Sequence, residues 1–374
     1  MYKNYKIRLY PTEEQKLIIY NHINACRFVW NYMLELENTA EKDGKFLDYY
    51  DLKKNISNMK KSDEYSFLKN ISSTSLTYVC KNLSNAYKMF FNKKAKHPKF
   101  KSKKRTKLKY PIRCDSKRFY MIDNNHIKIE KLGKIKCSDF LPYNCIKICE
   151  ANIELVNEKW ILNIRLECEN QVFDLTDYYM GIDLGVKELA VVSYGDKQLI
   201  FHNIKKSKKI KTLESKKRHI QRVLSRKYKV NGNYAKTNNV LKYEKILKTI
   251  IFKLHNIRLD YIHKTTNQLV SLKPKRIVVE DLNLVGIEKN KHLSKSLKDQ
   301  MFNEFIRQIE YKCKWNGIEF VKADRFYPSS KLCSCCGYKK IDLKLSDRIY
   351  KCDNCGLKID RDYNAAINLM NYSI

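Results

Sequence analysis

The chain has 374 residues, and its 75 Lys and Arg against 40 Asp and Glu leave a formal charge of +35. A hydrophobic content of 43% excludes a wholly disordered protein and is enough for two or three folded domains. A charge of this size opposes compaction unless a polyanion neutralises it, so nucleic acid is the expected partner.

The sequence has no recognisable targeting segment and no disulfide pattern. The start of the chain has no apolar stretch of signal-peptide character, and no stretch reaches the ~18 apolar residues of a membrane span. The 13 cysteines are odd in number and mostly isolated, which does not indicate a disulfide framework. We therefore expect an intracellular, thiol-reduced protein that needs no membrane: cytoplasmic in a prokaryotic or viral setting, nuclear in a eukaryotic host.

The N-terminal part begins with a strand and continues in helices. Apolar and basic residues alternate over residues 2–10, which predicts a strand. Thr12 is a helix N-cap followed by acidic residues, and the helix it starts runs towards residue 40. A second helical pattern covers roughly residues 72–92.

A basic segment follows the helices. Residues 93–105, KKAKHPKFKSKKR, include eight Lys or Arg and no acid. A solvated linker would have the same charge, but Pro98 and Phe100 favour an extended segment on a phosphate backbone, with the aromatic ring available for stacking.

Residues 110 to 170 have the pattern of a strand-rich region. Asn124-Asn125 predicts a hairpin turn within it. We expect a small β-barrel that returns to pair with the N-terminal strand, with the helices of residues 12–92 as an insertion. The predicted strands are 119–122, 126–129, 145–154 and 159–167.

Strands and helices alternate from Tyr179 onward, which predicts an α/β sheet with crossover connections. A basic stretch at 205–229 precedes a long helix. The predicted elements are a strand–turn–strand at 180–196, a strand at 276–282, a helix at 296–315 and a strand at 318–323.

Three acids stand in positions that suggest chemistry. Asp183 interrupts the apolar strand MGIDLG, Glu280 ends the strand IVVE, and Asp362 lies where a final helix begins. An ordinary helix N-cap is the alternative role for Asp362. Carboxylates that converge at one sheet edge repel one another unless a hard cation such as Mg²⁺ or Mn²⁺ neutralises them. Two such cations suit phosphodiester hydrolysis.

The cysteines form a second motif. Cys333 and Cys336 pair with Cys352 and Cys355 as two Cys-x-x-Cys-Gly units, which leaves Cys335 spare. Four thiolates at this spacing predict a closed, structural Zn²⁺ site.

These pieces together resemble the TnpB family, the transposon-encoded relatives of compact type V CRISPR nucleases. The matching segments are KIRLYPTEEQ, HPKFKSKK, GIDLGVKELAVVS, VVEDLNL, CSCCGY…CDNCG and DRDYNAAINL, in this order along nearly the whole chain.

The resemblance implies a multidomain α+β protein. Residues 1–175 would form the β-barrel (wedge-like) domain with its helical recognition insertion. Residues 176–374 would form an RNase H-like (RuvC) domain with a zinc ribbon at about 330–358. Asp183, Glu280 and Asp362 would be the catalytic, metal-binding acids, with Asp360 close enough to compete for the third position.

The implied function is RNA-guided DNA cleavage. A guide RNA from the transposon end would pair with target double-stranded DNA, while the protein reads a short flanking motif; no protein oligomer is expected. Three alternatives remain: a DNA transposase that acts without guide RNA, a non-catalytic zinc-containing DNA-binding regulator, and a junction resolvase.

Overall fold

The computed structural model describes residues 1–141, 145–169, 173–230, 236–281, 299–344 and 347–373. The chain divides into two compact units, Met1–Glu169 and Asn170–Ile374, whereas the sequence placed the boundary near residue 175. Each unit contains both helices and a sheet, so the expected mixed α+β class is confirmed.

A seven-stranded antiparallel sheet organises the first unit. Its order is β2-β6-β7-β1-β5-β4-β3, and β1 pairs with β7 from Tyr2 opposite Glu167 to Leu9 opposite Trp160. The N-terminal strand therefore does pair with the later strands, and Asn124-Asn125 does connect a hairpin. The strands are β1 (Tyr2–Tyr10), β2 (Lys109–Ile112), β3 (Tyr120–Asp123), β4 (His126–Ile129), β5 (Gly133–Cys137), β6 (Cys145–Val156) and β7 (Lys159–Cys168).

Helices separate β1 from β2. Thr12 caps the first of them through a capping box, in which its side chain accepts from the amide of Gln15 at 3.3 Å and Gln15 accepts from the amide of Thr12 at 3.1 Å. The second helix, which the sequence did not predict, packs Leu52 and Ile56 into the same core as the other two. The helices are α1 (Glu13–Lys42), α2 (Tyr49–Lys61) and α3 (Ser73–Phe91), with a 3₁₀ turn at Asp63–Asn70.

A five-stranded mixed sheet organises the second unit, in the order β10-β9-β8-β11-β12. Strands β8, β9 and β10 are antiparallel neighbours, whereas β11 runs parallel to both β8 and β12. The strands are β8 (Tyr179–Leu184), β9 (Glu188–Tyr194), β10 (Lys197–His202), β11 (Arg276–Glu280) and β12 (Glu319–Ala323), followed by the hairpin strands β13 (Ile349–Lys351) and β14 (Lys358–Asp360).

Helices cover both faces of this mixed sheet. One face, which includes Ile182 and Val279, packs against α5 and α6, and the other packs Val278 against Leu369 of α7. The basic stretch at 205–229 is itself largely helical as α4, and residues 296–298 of the expected helix at 296–315 lie outside the described residues. The helices are α4 (Lys208–Val230), α5 (Asn238–Ser271), α6 (Phe302–Asn316) and α7 (Arg361–Met370). Among the helices that the structure describes, none is long and apolar enough to cross a bilayer.

Gly181 sets how closely α7 approaches the sheet. A Cβ at this position would overlap the backbone carbonyl oxygen of Ala366 and the backbone nitrogen of Met370. Because the obstacle is helix backbone and not a flexible side chain, any larger residue would push α7 away from β8.

We expect Gly181→Ala to destabilise the second unit by about 2–3 kcal/mol, because α7 must move before the methyl group fits. Hydrogen exchange at the amides of β8 and α7 measures this locally. Gly185→Ala is the matched control, since its Cβ would meet only the carbonyl oxygen of Glu188, at 3.2 Å. Equal protection in the two variants would contradict the close-approach argument.

Candidate active site and metal centre

Strand register places Asp183 and Glu280 side by side. In the parallel pair of β8 and β11, Ile182 is opposite Val279, so the next residue of each strand lies at the same sheet edge. Side chains alternate between the two faces of a strand. Since Ile182 and Val279 face α5 and α6, Asp183 and Glu280 face the side covered by α7.

The third acid comes from the first turn of α7. The N-cap of this helix is Asp360, whose carboxylate accepts hydrogen bonds from the amides of Asp362 and Tyr363, both at 3.0 Å. Capping therefore occupies Asp360, which is exposed, and leaves the carboxylate of the half-buried Asp362 free for another role.

Electrostatic repulsion is strongest at Asp183. Its pKa lies well above the ordinary value, first because the carboxylate is buried and then because Glu280 and Asp362 are negatively charged; Arg361 opposes the shift. The Asp183 side chain is partly exposed, but the strand and helix around it bury the carboxylate. This burial is the largest cause of its raised pKa. Both Glu280 and Asp362 therefore destabilise the charged form of Asp183.

The pKa values of Glu280 and Asp362 are also raised. Burial raises the pKa of Glu280, and so does the neighbouring Asp281. Burial and then Asp360 raise the pKa of Asp362, against the opposing charges of Arg348, Arg361 and Lys187. Sequence reasoning missed Lys187, because it lies in the loop after β8 with nothing local to distinguish it.

The donor set suits a hard cation. Across the described ranges, no side chain donates a hydrogen bond or forms an ion pair with the carboxylate of Asp183, Glu280 or Asp362. Carboxylates that lie together without such partners offer the oxygen ligands that Mg²⁺ and Mn²⁺ use. The three acids share one sheet edge, but within the described residues their carboxylate oxygens do not all lie within 4.8 Å of one another. The sulfur atoms of the four cysteines described below do.

Four cysteines form a compact set. The sulfur atoms of Cys333, Cys336, Cys352 and Cys355 all lie within 4.8 Å of one another, and Cys333–Cys355 and Cys336–Cys352 are each 3.6 Å apart. A tetrahedron of ~2.3 Å Zn–S bonds has S–S edges of about 3.8 Å. The set therefore fits a structural zinc ribbon, and it leaves the exposed Cys335 outside.

The small hydrophobic core around these cysteines contains few residues. It consists of Cys333, Leu343, Tyr350 and Cys352, with Leu357 and Ile359 packed against it. A core of this size cannot hold a fold by itself, so metal binding would supply much of the folding free energy.

Two buried asparagines connect α7 to the segment that leads into the ribbon. Asn364 donates to the carbonyl oxygen of Leu332 at 2.6 Å and accepts from the amide of Ser334 at 3.0 Å. One turn later, Asn368 donates to the same carbonyl oxygen at 2.8 Å and to that of Ser329 at 2.7 Å. Sequence reasoning missed both residues, although buried amides at i and i+4 in an otherwise apolar helix face are a readable signal.

The repulsion at Asp183 predicts how metal-free stability depends on pH. The pKa of Asp183 is raised in the folded protein above its unfolded value of about 3.9, so folding takes up protons and the free energy of unfolding falls as pH rises through that interval. We expect metal-free Asp183→Asn to melt above wild type at pH 8 and together with it near pH 4. The gap should be roughly 2–4 °C for each kcal/mol of relieved repulsion.

Mg²⁺ should raise the melting temperature of wild type and not that of Asp183→Asn, because the cation binds the charged site only. Asp196→Asn is the control, since this exposed acid lies in the β9–β10 turn. If it gained as much stability as Asp183→Asn, a general charge effect would replace the local one.

The hydrogen bonds of Asn364 and Asn368 predict that unfolding of the ribbon destabilises α7. Asn364→Ala removes two buried hydrogen bonds, at a cost of about 2–3 kcal/mol, and should raise hydrogen exchange throughout α7. A zinc chelator should have the same effect on wild type. Asn239→Ala, at an exposed position in the first turn of α5, should leave exchange in α7 unchanged. Full protection of α7 in the chelated protein would show that the two parts are independent.

Family models match most of the second unit and the start of the first. A model described as "Probable transposase" matches residues 174–291, and one described as "Cas12f1-like, TNB domain" matches residues 302–369. A third, described as "Helix-turn-helix domain", matches residues 1–45, which here form β1 and α1.

Similar proteins extend over nearly the whole chain. A Streptomyces pristinaespiralis protein, provisionally named RNA-guided DNA endonuclease, is 29% identical over 98% of this chain and 88% of its own length. InsQ of Escherichia coli K12, with the same provisional name, is 28% identical over 98% of this chain and 91% of its own. The CRISPR-associated endodeoxyribonuclease Cas12f1 of Sulfoacidibacillus thermotolerans is 31% identical over 56% of this chain and 50% of its own.

A solved Cas12f1–sgRNA–target DNA complex is also similar, at 18% identity over 99% of both chains, but its TM-score of 0.39 is too low to support conclusions about the fold. The matched models and the named relatives agree with the motifs and their order. The chain is similar to proteins of the TnpB family over nearly its whole length.

Proposed function

We propose that this protein is an RNA-guided DNA endonuclease encoded by a transposable element, and that it hydrolyses phosphodiester bonds with divalent metal ions. The observation that carries the proposal is the group of three acids, Asp183, Glu280 and Asp362, which share one edge of a sheet and form no ion pair or side-chain hydrogen bond within the described residues. A structural role does not explain why a fold would tolerate this repulsion.

The guided mode of action is supported by the relatives and by the charge. Two relatives that extend over nearly the whole chain carry the name RNA-guided DNA endonuclease. A net charge of +35 suits a protein that holds nucleic-acid backbones while base pairing selects the sequence. The guide RNA would come from the transposon end, and the target would be double-stranded DNA with a short flanking motif. The protein would act where that DNA lies, in prokaryotic cytoplasm or a eukaryotic nucleus.

The two units would divide this work. The order β10-β9-β8-β11-β12, with an antiparallel β8–β9–β10 meander followed by parallel strands, supports an RNase H-like (RuvC) domain over residues 176–374. The seven-stranded sheet with helices α1 to α3 inserted after β1 supports a β-barrel domain, with a helical recognition insertion, over residues 1–175.

In this mechanism the carboxylates of Asp183, Glu280 and Asp362 would hold the metal ions. Bound Mg²⁺ or Mn²⁺ would supply an activated water and stabilise the leaving 3′ oxygen. Asp183 is the central acid, because both of the others raise its pKa. Arg361 carries a positive charge beside Asp183 and Asp362, and its guanidinium donates to the carbonyl oxygen of Lys344 at 3.0 Å, which holds it in place.

Asp362 and not Asp360 would be the third ligand. The carboxylate of Asp360 already caps α7, whereas the carboxylate of Asp362 makes no capping contact. Burial and the neighbouring Asp360 raise the pKa of Asp362. Four zinc-bound cysteines would have no open coordination position, so the ribbon would support the fold and take no part in hydrolysis.

The alternatives explain fewer observations. A non-catalytic regulator accounts for the charge and the cysteines but leaves the repulsion at Asp183 without a purpose. A transposase without guide RNA could use the same acids, and it differs in needing transposon ends and no RNA.

The test is guided cleavage by the particle purified from cells that carry its native flanking DNA. The co-purifying RNA is sequenced, and the particle is then incubated with Mg²⁺ and a plasmid library with randomised flanks. We expect one RNA species that ends at the element boundary and cutting of matched targets only. Heterogeneous RNA and cutting at transposon ends would instead support the transposase.

Asp183→Ala should bind the RNA and the matched DNA as wild type does but should not cut, because the central metal ligand is lost. Asp196→Ala is the control and should cut at the wild-type rate. Cleavage by Asp183→Ala at the wild-type rate would disprove the assignment of the active site.

A further inference from the structure

A cavity of about 490 Å³ opens in the first unit, whereas the sheet that carries Asp183 and Glu280 belongs to the second. Its volume is within the roughly 300–1,000 Å³ of small-molecule sites. It lies between α1, α3, the segment 101–111 and β6, and its apolar lining includes Ile23, Val79 and Ala151.

The lining is strongly basic. Five cationic side chains border the cavity against the single acid Glu150. The cations are Arg27, Lys81, Lys101, Lys107 and Lys109. This excess at a concave surface favours an anionic ligand, because concave walls of low dielectric constant focus the field.

Lys101 is held in place without an acid. Its backbone amide donates to Asn31 at 2.7 Å, its carbonyl oxygen accepts from the same side chain at 3.0 Å, and its ammonium lies 3.3 Å from the centre of the Trp30 ring. No carboxylate of the described residues pairs with it, and burial lowers its pKa to about 8. An anion in the cavity would restore the pKa and satisfy the ammonium.

The mouth of the cavity offers hydrogen-bonding groups and a ring. Tyr78, Asn82 and Asn85 follow one another along one face of α3 and all border the cavity. The amides of Asn82 and Asn85 have no hydrogen-bond partner within the described part of the chain, so both remain available to a ligand. An amide group can donate and accept at once, which is how proteins recognise base edges.

We infer that this cavity binds a single nucleotide whose base is unpaired, with its phosphate near Lys101 and Arg27 and its base at the amides of Asn82 and Asn85. Unpaired nucleotides bind proteins in this way, through cations for the phosphate and side chains for the base edge. The inference rests on the proposed function only in expecting nucleic acid to be present. The nucleotide could come from an RNA strand, from a DNA strand or from solution.

Photocrosslinking of the full-length protein tests the inference. The probes are a 12-nucleotide single-stranded RNA with one 4-thiouridine, the matching DNA with 4-thiothymidine, and AMP as a competitor. We expect crosslinks in the peptides of residues 78–85 and 101–111. The more reactive strand identifies the source, and suppression of both crosslinks by micromolar AMP would identify a free nucleotide.

The decisive variants are Lys101→Met and its control Lys104→Met, which removes an exposed lysine of the same basic segment outside the cavity. Lys101→Met should weaken binding of the reactive probe about ten-fold, as the loss of one charge-assisted contact does, and Lys104→Met much less. Asn85→Ala, at an exposed position that should not disturb folding, should reduce the crosslink without changing the melting temperature.

Equal effects of Lys101→Met and Lys104→Met, or crosslinks confined to other parts of the chain, would overturn the inference. The binding assay needs no target cleavage, so a protein that crosslinks in the cavity but never cuts would disprove only the proposed function. A particle that cuts matched DNA without any crosslink in the cavity would disprove only the assignment of the cavity.

Discussion

Repulsion between carboxylates on one face of a sheet is the constraint that the second unit is built to withstand. Asp183 and Glu280 are fixed by strand pairing, and Asp362 is fixed by a helix whose backbone touches Gly181. None of these elements can move away without breaking strand pairing or unpacking the helix. This repulsion lowers the stability of the metal-free protein, and a bound cation would remove it, so metal binding would stabilise the unit.

The zinc ribbon contributes to this arrangement from outside the acids. Its four cysteines hold a loop that would otherwise have too small a core to stay folded. The carbonyl oxygen of Leu332, in that loop, accepts hydrogen bonds from Asn364 and Asn368. These two residues lie on successive turns of α7, the helix that also carries Asp362. Zinc bound to these cysteines would therefore help to hold one of the acids in position without taking part in the reaction itself.

The sequence predicts what depends on local pattern and misses what depends on distant contacts. Asp183 could be recognised because it interrupts an apolar strand, and the capping of α1 because Thr12 and Gln15 are three residues apart. Helix α2 was missed because its short, mostly polar sequence has only three buried apolar positions, Leu52, Ile56 and Met59, which is a weak helical signal before tertiary packing. The closeness of Gly181 to α7 joins residues that are 185 apart or more, and no local pattern reports it. Which helix face is buried, and that Asn364 and Asn368 meet one carbonyl oxygen, follow only from the folded chain.

The surplus of positive charge completes the physical picture. Even if every Asp and Glu formed one ion pair, 35 Lys and Arg would have no partner. The true surplus is larger where two acids share one cation, as Glu214 and Asp299 share Arg258, both at 3.0 Å. Intramolecular pairing therefore cannot neutralise the chain, and self-repulsion lowers the stability of the ligand-free protein most at low ionic strength. Nucleic acid that binds only the folded state would add its binding free energy to folding. Because the acids repel one another at one edge and the cations repel one another over the surface, two ligands of opposite charge, a metal cation and a polyanion, would both stabilise this protein.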